Sequence, residues 1–371
     1  MTLAVVGIAG LVLVISFLMT LYLCSPNSWF YRLDHPNERS LHSIITPRTG
    51  GLAIVASLLI GLAAFFVLGW ACGTRCGAGV LGNKLLWIVA MALLVGSISF
   101  LDDMIGLSAG LRFVVHIFAA VGIVAGAGLV IDTIAVPTAG LARLGWVGFP
   151  FTVLFLIWMT NLYNFMDGMD GFAGGMSVVG FGFMAIAAWA AGGYGIATLS
   201  LLIAAASSGF LFLNVPPARV FMGDVGSTTL GFLAGALAVL GVADKLFDIW
   251  VPVLIFSPFG VDATVTLLRR LTRGQRVWRP HREHYYQRLV LAGWGHQKTV
   301  LSEYVLMIAA GLSALIYARA GAQARLGILI AWSCLYFLIA CGIQRIIGHR
   351  RRFDDTAAAT PEVNRHNSIQ T

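Results

Sequence analysis

Residues 161–171 read Asn-Leu-Tyr-Asn-Phe-Met-Asp-Gly-Met-Asp-Gly and lie between two long apolar runs. Polar side chains recur every three residues in this stretch, at Asn161, Asn164, Asp167 and Asp170. A spacing of three keeps successive side chains near one side of a helix. Because carboxylates at the end of a membrane span are costly unless they serve a function, the pattern indicates a functional site at a membrane surface.

The composition predicts an all-α polytopic membrane protein. Of the 371 residues, 58% are hydrophobic and 11% are charged, whereas soluble domains carry about 25% charged residues. The mean hydropathy is +0.86. About 11 transmembrane helices are predicted from apolar runs of sufficient length, at residues 3–23, 51–71, 85–101, 111–131, 146–162, 172–192, 195–213, 228–242, 250–268, 300–318 and 326–347. We expect one membrane domain over residues 1–348 and a disordered polar tail over residues 349–371.

Basic residues predict how the chain is oriented. The loops on one side of the predicted spans hold 18 of the 24 Lys and Arg residues, and those on the other side hold 6. The positive-inside rule then places the N-terminus in the periplasm and the C-terminus in the cytoplasm. The polar clusters with chemical character all fall on this cytoplasmic side. Cys72 and Cys76 share a short outer loop, and whether they form a disulfide is left open.

Two acidic clusters accompany the central stretch. Asp102 and Asp103 end the third span, close to Arg112. Adjacent carboxylates raise one another's pKa, so one of them is a candidate base or metal ligand; the alternative is a solvated helix end. Asp224 lies in Phe221-Met-Gly-Asp-Val-Gly-Ser, where glycines let the backbone approach a ligand closely. Oxygen ligands without cysteine suit Mg²⁺, with Mn²⁺ as the second choice.

Two further segments are basic and fit anion binding. The loop over residues 269–298 contains His281-Arg282-Glu283-His284. Arginine beside histidine fits phosphate recognition better than a zinc site, since no third zinc ligand has suitable spacing. Arg48 lies in Thr-Pro-Arg-Thr-Gly-Gly, a tight loop that suits a phosphate. Anions together with a divalent cation are typical of a bound nucleotide diphosphate.

The joint pattern over about residues 1–345 resembles the polyprenyl-phosphate N-acetylhexosamine-1-phosphate transferases, of glycosyltransferase family 4 type. The motifs that carry this resemblance are, in order, Asp102-Asp103, Asn161-x-x-Asn164-x-x-Asp167-Gly-x-Asp170-Gly, Phe221-Met-Gly-Asp224-x-Gly-Ser227 and His281-Arg-x-His284. The segments 262–270 and 278–288 look most like the branch that starts O-antigen chains in Gram-negative bacteria.

The resemblance implies that undecaprenyl phosphate attacks a UDP-N-acetylhexosamine at the bacterial inner membrane and releases UMP. It implies that Asp224 and Asn164 coordinate Mg²⁺ and that Asp102 or Asp103 acts on the lipid phosphate. The other implied site residues are Asp167 and Asp170 for metal and nucleotide, Phe221 and Asn214 for uracil, His281, Arg282 and His284 for diphosphate or sugar, and Arg48 and Arg112 as substrate-binding cations.

The sequence is compatible with more than one substrate and more than one function. One member of the family is the phospho-MurNAc-pentapeptide translocase. Gly106 stands where that enzyme has lysine, and His-Arg-Glu-His stands where it has three histidines. These differences disfavour muramoyl-pentapeptide as the substrate. The residues do not distinguish among GlcNAc, QuiNAc and FucNAc as the transferred sugar. The expected partners are the two substrates and the lipid bilayer, with a homodimer as one open oligomeric state and no nucleic acid. The competing interpretations are a transporter of an anionic substrate and another lipid-phosphate enzyme, such as a phosphatase.

Overall fold

A computed structural model describes residues 3–36, 41, 44–71, 82–276 and 281–359. The fold is all-α, as predicted, with two short antiparallel strand pairs. The helices are α1 (Leu3–Leu23), α2 (Gly50–Ala71), α3 (Gly82–Ile105), α4 (Ala109–Val121), α5 (Gly148–Met166), α6 (Phe172–Ala190), α7 (Tyr194–Asn214), α8 (Gly223–Ala243), α9 (Trp250–Ile255), α10 (Ser257–Thr272), α11 (Tyr285–Leu289), α12 (Gly295–Arg319) and α13 (Ala322–Ala359). The strands β1 (Leu33–Asp34) and β2 (Thr46–Pro47) pair, as do β3 (Thr133–Val136) and β4 (Gly140–Arg143).

Ten helical segments among the described residues are long and apolar enough to cross a membrane. The ninth predicted span, over residues 250–268, is instead divided into α9 and α10 at Phe256. Pro258 lies in the first turn of α10. Proline lacks the N–H that would bond to the preceding turn, so it begins a helix more readily than it continues one.

Helix α8 is the centre of the bundle. In its most apolar stretch of 18 residues, 94% of the residues are buried. The corresponding value for α13, at the periphery, is 11%. Helix α8 packs mainly against α3 and α5. The helix begins at Gly223, five positions before the predicted span start at residue 228, so Asp224 lies in its first turn. A buried central helix therefore carries the acid of the Phe221 motif.

Two predictions concern the edges of the described chain. Helix α13 continues to Ala359, past the predicted domain boundary at residue 348; residues 360–371 lie outside the described residues, so the disordered tail stays a prediction. Cys72 and Cys76 also lie outside the described residues. The predicted orientation of the termini across the membrane likewise stays a prediction.

Candidate active site

The predicted acidic and basic residues meet at one end of the helical bundle. They come from the C-terminal ends of α3 and α5 and from the N-terminal ends of α4 and α8. Arg112 of α4 joins the acids of α3 and α8, and Asn164 of α5 hydrogen-bonds the side chain of Asp224. Four helix ends thus share one polar cluster, which the spacing of the motifs along the chain did not by itself require.

Arg112 is the cation at the centre of this cluster. Its Nη1 lies 2.6 Å from Oδ2 of Asp102 and 2.8 Å from Oδ2 of Asp224. The second carboxylate oxygen of Asp102 accepts a hydrogen bond of 2.7 Å from the backbone N–H of Leu107. Both oxygens of Asp102 are therefore engaged, so this residue orients Arg112.

Asp103 has looser contacts than its neighbour. Its Oδ1 lies 3.6 Å from Nη2 of Arg48, and its Oδ2 lies 3.4 Å from the backbone N of Val225. Arg48 is held nearby because its Nη2 donates to the carbonyl of Asp103 at 3.1 Å. Of the two adjacent acids, Asp103 is the one whose carboxylate is better placed to exchange a protein partner for a ligand.

The loop that carries Arg48 is paired with the Phe221 motif through backbone hydrogen bonds. Phe221 N donates to the carbonyl of Pro47 at 2.7 Å, and Gly50 N donates to the carbonyl of Phe221 at 3.0 Å. Gly223 has φ 71°, and a Cβ there would lie 2.5 Å from the Arg48 carbonyl oxygen. Only glycine accommodates this turn, so the sequence Phe-Met-Gly-Asp fixes the start of α8 against the Arg48 loop.

Asp167 follows the end of α5 and faces the other acids. Burial, followed by the carboxylates of Asp224, Asp103 and Asp34, raises its pKa to about 8. A divalent cation beside Asp167 would stabilise the charged form of this buried carboxylate against both its burial and the neighbouring acids. The residues present therefore fit a hard cation.

The donor set resembles a magnesium site more than a zinc site. Within the described part of the chain, no three His, Cys, Asp or Glu side chains converge to hold a metal by themselves. Mg²⁺ usually keeps several waters and binds through one or two carboxylates together with substrate phosphates. Asp224 and the neighbouring amide of Asn164 meet that smaller requirement.

Asn214 connects the loop after α5 to the loop before α8. The side chain of Asn214 accepts from the backbone N–H of Gly171 at 3.0 Å and donates to the carbonyl of Val220 at 2.8 Å. Because both ends of its amide have backbone partners, Asn214 positions the loop that carries Phe221. Direct contact between Asn214 and uracil stays a prediction.

Asp170 opens onto a cavity of about 380 Å³ that Phe221 also lines. Its Oδ2 accepts from the backbone N–H of Ala218 at 3.1 Å, and its Oδ1 lies 3.2 Å from Nδ1 of His296. His296 was missed in the sequence analysis, because it belongs to no motif and reaches the cavity only through the start of α12. A flat aromatic ring, a carboxylate and an imidazole are suited to a nucleoside.

The loop that carries His281 and His284, called here the histidine loop, is held by an acid of α10. Asp262 accepts hydrogen bonds from the backbone N–H groups of Tyr285 (2.9 Å) and Tyr286 (3.1 Å), and its Oδ1 lies 3.3 Å from Nδ1 of His284. The rings of His281 and His284 lie 4.8 Å apart. Asp262 was not among the predicted site residues, although an acid within an apolar span is a signal of function.

His281 is neutral at pH 7. Burial lowers its pKa to about 4, with further contributions from the nearby His284 and Arg270. Arg270 and Arg269 both contact Glu283, which holds the loop that also carries Arg282. His281 therefore offers hydrogen-bonding nitrogens, and the arginines of the segment supply its positive charge.

Tyr286 connects the histidine loop to the central stretch. Its hydroxyl lies 3.5 Å from the carbonyl of Phe165, and its ring centroid is 4.7 Å from that of Phe172. A Cβ added at Gly168 would overlap the Tyr286 hydroxyl. The glycine that follows Asp167 is thus required because a tyrosine of a distant loop packs against it.

We expect Gly168→Ala to lower the thermal stability and the turnover of the protein, since overpacking costs about 1–3 kcal/mol. Removing the hydroxyl in the double variant Gly168→Ala, Tyr286→Phe should restore part of both. Thermal unfolding in detergent and turnover measure the two effects. Equal losses in the single and double variants would show that the contact with Tyr286 is not the cause.

The chain as a whole is similar to known proteins. A protein-family model described as "Glycosyl transferase family 4" matches residues 85–242. The chain is 35% identical over 287 residues to a probable undecaprenyl-phosphate N-acetylglucosaminyl 1-phosphate transferase of Bacillus subtilis, covering 76% of each chain. It is 27% identical to a decaprenyl-phosphate N-acetylglucosaminephosphotransferase of Mycolicibacterium smegmatis, covering 84% of this chain and 82% of the relative. It is 29% identical to a phospho-N-acetylmuramoyl-pentapeptide-transferase of Halalkalibacterium halodurans, covering 69% and 78%.

Proposed function

The chain belongs to glycosyl transferase family 4, and from this premise we propose that it transfers an N-acetylhexosamine 1-phosphate group from a UDP-sugar to undecaprenyl phosphate. The observation that carries the proposal is the cluster in which Arg112 bridges Asp102 and Asp224, beside Asp167, Asp103 and Arg48. Such a cluster suits an anionic nucleophile, an anionic leaving group and a divalent cation.

In the proposed reaction, a phosphate oxygen of the lipid attacks the β-phosphorus of the UDP-sugar. The bond between the β-phosphorus and the oxygen that joins it to the α-phosphorus breaks. UMP leaves with that oxygen, and the lipid retains a diphosphate linked to the sugar. Because the nucleophile is already an anion, catalysis consists mainly of positioning and charge neutralisation.

Asp103 and Arg48 are the proposed partners of the lipid phosphate. They line one cleft together with Arg32 and Phe30, so two guanidinium groups accompany the single carboxylate there. Arginine grips phosphate oxygens with paired N–H groups, which orients the attacking oxygen. Asp103 is placed beside the attacking phosphate oxygen. Asp102 keeps Arg112 in place.

Asp224 and Asn164 are the proposed holders of Mg²⁺, for which Mn²⁺ is the substitute; when bound, the cation neutralises the diphosphate charge as UMP leaves. Phe221 and Asp170 line the cavity proposed for uridine. His281, Arg282 and His284 are proposed to contact the diphosphate or the sugar. Arg112 is proposed to lie beside the phosphates and to add the positive charge of its guanidinium group to that of the metal.

A second cleft suits the prenyl chain. It has a volume of about 320 Å³, lies between α5, α9 and α10, and is lined by Leu162, Phe256 and Val265 among other apolar residues. Leu162 lies two positions before Asn164, so the cleft begins near the polar cluster. Because the prenyl chain comes from the bilayer rather than from water, van der Waals contacts with these side chains would hold it in the cleft.

The finer features of the proposal rest on charge and resemblance. The excess of Lys and Arg on one side of the spans supports a cytoplasmic active site in a bacterial inner membrane. The role in initiating O-antigen synthesis, and the choice among GlcNAc, QuiNAc and FucNAc, rest on the resemblance alone. The grouping of acids at helix ends, rather than mid-span, disfavours the transporter.

The experiment is UMP release by the purified protein in detergent, given undecaprenyl phosphate, Mg²⁺ and one UDP-sugar per reaction. We expect release with one of UDP-GlcNAc, UDP-QuiNAc and UDP-FucNAc, and its loss on omission of lipid or addition of EDTA. Restoring activity with excess Mg²⁺ controls for damage by the chelator. Folded protein that releases no UMP from any of these donors would contradict the proposal.

A further inference from the structure

A third cleft lies beside the candidate active site, with which it shares Asp262, and is formed between α10, α12 and α13. Its volume is about 530 Å³, and its walls are mostly apolar. On α13 its lining extends from Ser333 to Gln344, which is about 16 Å along a helix axis. A cleft of this length, with α12 and α13 as two walls that are long and apolar enough to cross the membrane, is suited to a lipid.

Glu303 of α12 lies in the wall of this cleft and within an apolar span. It forms no hydrogen bond or ion pair with any residue that the structure describes. Asp262, the other carboxylate of the wall, already accepts from the backbone N–H groups of Tyr285 and Tyr286. An ionisable group inside a membrane span without a protein partner points to a ligand that carries the partner.

The opposite charge lies at one end of the cleft. Arg288 donates to Oε1 of Gln344 at 3.2 Å, and Gln344 lines the cleft. The guanidinium of Arg288 also lies 5.7 Å from the ring centroid of Tyr285, another lining residue. The cleft therefore offers a carboxylate in its wall, a guanidinium at its rim and an apolar surface below them.

We propose that this cleft binds phosphatidylethanolamine, with the ammonium group on Glu303, the phosphate near Arg288 and an acyl chain along α13. Undecaprenyl phosphate has a phosphate for Arg288 but no cationic group for Glu303, so it would satisfy only one of the two charges. Phosphatidylglycerol has no ammonium group. Phosphatidylcholine has the positive charge but no N–H to donate to the carboxylate.

The site has a consequence for the histidine loop. Asp262 lines the cleft on one side and holds Tyr286 and His284 on the other. A lipid packed against Asp262 stabilises the loop, so turnover should rise when phosphatidylethanolamine is present. Lipid binding itself is measured without turnover, so the two proposals fail independently.

The test is lipid retention by the full-length protein, delipidated in detergent and measured by native mass spectrometry. Phosphatidylethanolamine, its N-monomethyl form, phosphatidylcholine and phosphatidylglycerol are supplied with identical acyl chains. We expect phosphatidylethanolamine to bind about tenfold or more tightly than phosphatidylcholine or phosphatidylglycerol, the effect of one charge-assisted hydrogen bond. Equal retention of all four lipids by the wild-type protein would overturn the proposal.

The position of the ammonium group is tested with Glu303→Gln, which keeps the shape of the side chain and removes its charge. This variant should lose the preference for phosphatidylethanolamine. Ser302→Ala, at the exposed neighbouring position, is the matched control and should keep it. A preference that persists in Glu303→Gln would show that bilayer or detergent properties cause it. If Glu303→Gln fails to fold, the proposal is still tested by the wild-type protein's retention of phosphatidylethanolamine, its N-monomethyl form and phosphatidylcholine.

Discussion

Replacing Asp224 with asparagine is expected to reduce turnover by about 10³-fold, because the variant loses the negative charge proposed to hold the divalent cation. The folded structure should survive. An asparagine oxygen still accepts a hydrogen bond from Arg112, which now lies 2.8 Å from the carboxylate. Initial rates of UMP release across a range of Mg²⁺ concentrations measure the effect, and thermal unfolding measures the fold.

Asp244→Asn is the matched control for this change. Asp244 follows the other end of α8 and pairs with Lys84 at 2.6 Å, so the variant also removes one carboxylate from an ion pair. It should keep turnover near the wild-type level. Full activity in Asp224→Asn, or an equal loss in Asp244→Asn, would contradict the assignment of Asp224 to the reacting end of the helix.

The second large effect is expected at Arg112, where lysine and methionine should behave differently. A single nitrogen, Nη1, makes both contacts of this side chain with Asp102 and Asp224. A lysine ammonium can replace one nitrogen, although it cannot replace a bidentate guanidinium. We therefore expect Arg112→Lys to stay within about tenfold of wild-type turnover and Arg112→Met to fall by about 10²–10³-fold.

The comparison between the two variants at Arg112 decides which property of the side chain matters. Methionine fills similar space without charge, and leaves Asp102 and Asp224 facing each other with no cation between them. If Arg112→Lys were as inactive as Arg112→Met, the planar fork rather than the positive charge would be required. If Arg112→Met were fully active, the bridge would have no part in the reaction.

The sequence was sufficient for the fold class because membrane spans follow directly from apolar length. It was insufficient at residues 250–268, where hydropathy alone indicates one span. Pro258 divides this segment locally, an effect that an average over the whole segment conceals. The start of α8 was also misjudged, because Gly223 and Asp224 lower the hydropathy of a first turn that is nevertheless helical.

For the site, the sequence supplied the acids and the arginines but not their pairing. Arg112 was recognised through its proximity to Asp102 in the chain, whereas its contact with Asp224 joins residues from two separate helices. Asp262 and His296 were missed for the same reason: each acts through residues distant in the chain, namely the histidine loop and Asp170. Residue type predicts what a side chain can bind, and only the packing of helices decides what it meets.

The measurement that tests the central claim most directly follows the β-phosphate. The protein is given undecaprenyl phosphate, Mg²⁺ and the accepted UDP-sugar labelled with ³²P at the β-phosphorus. Transfer of sugar 1-phosphate predicts that the label enters the lipid fraction in step with the release of unlabelled UMP. Both should be about 10³-fold slower in Asp224→Asn. Label that stays in the aqueous fraction as UDP, while the sugar enters the lipid, would mean that the sugar is transferred without its phosphate and would contradict the account.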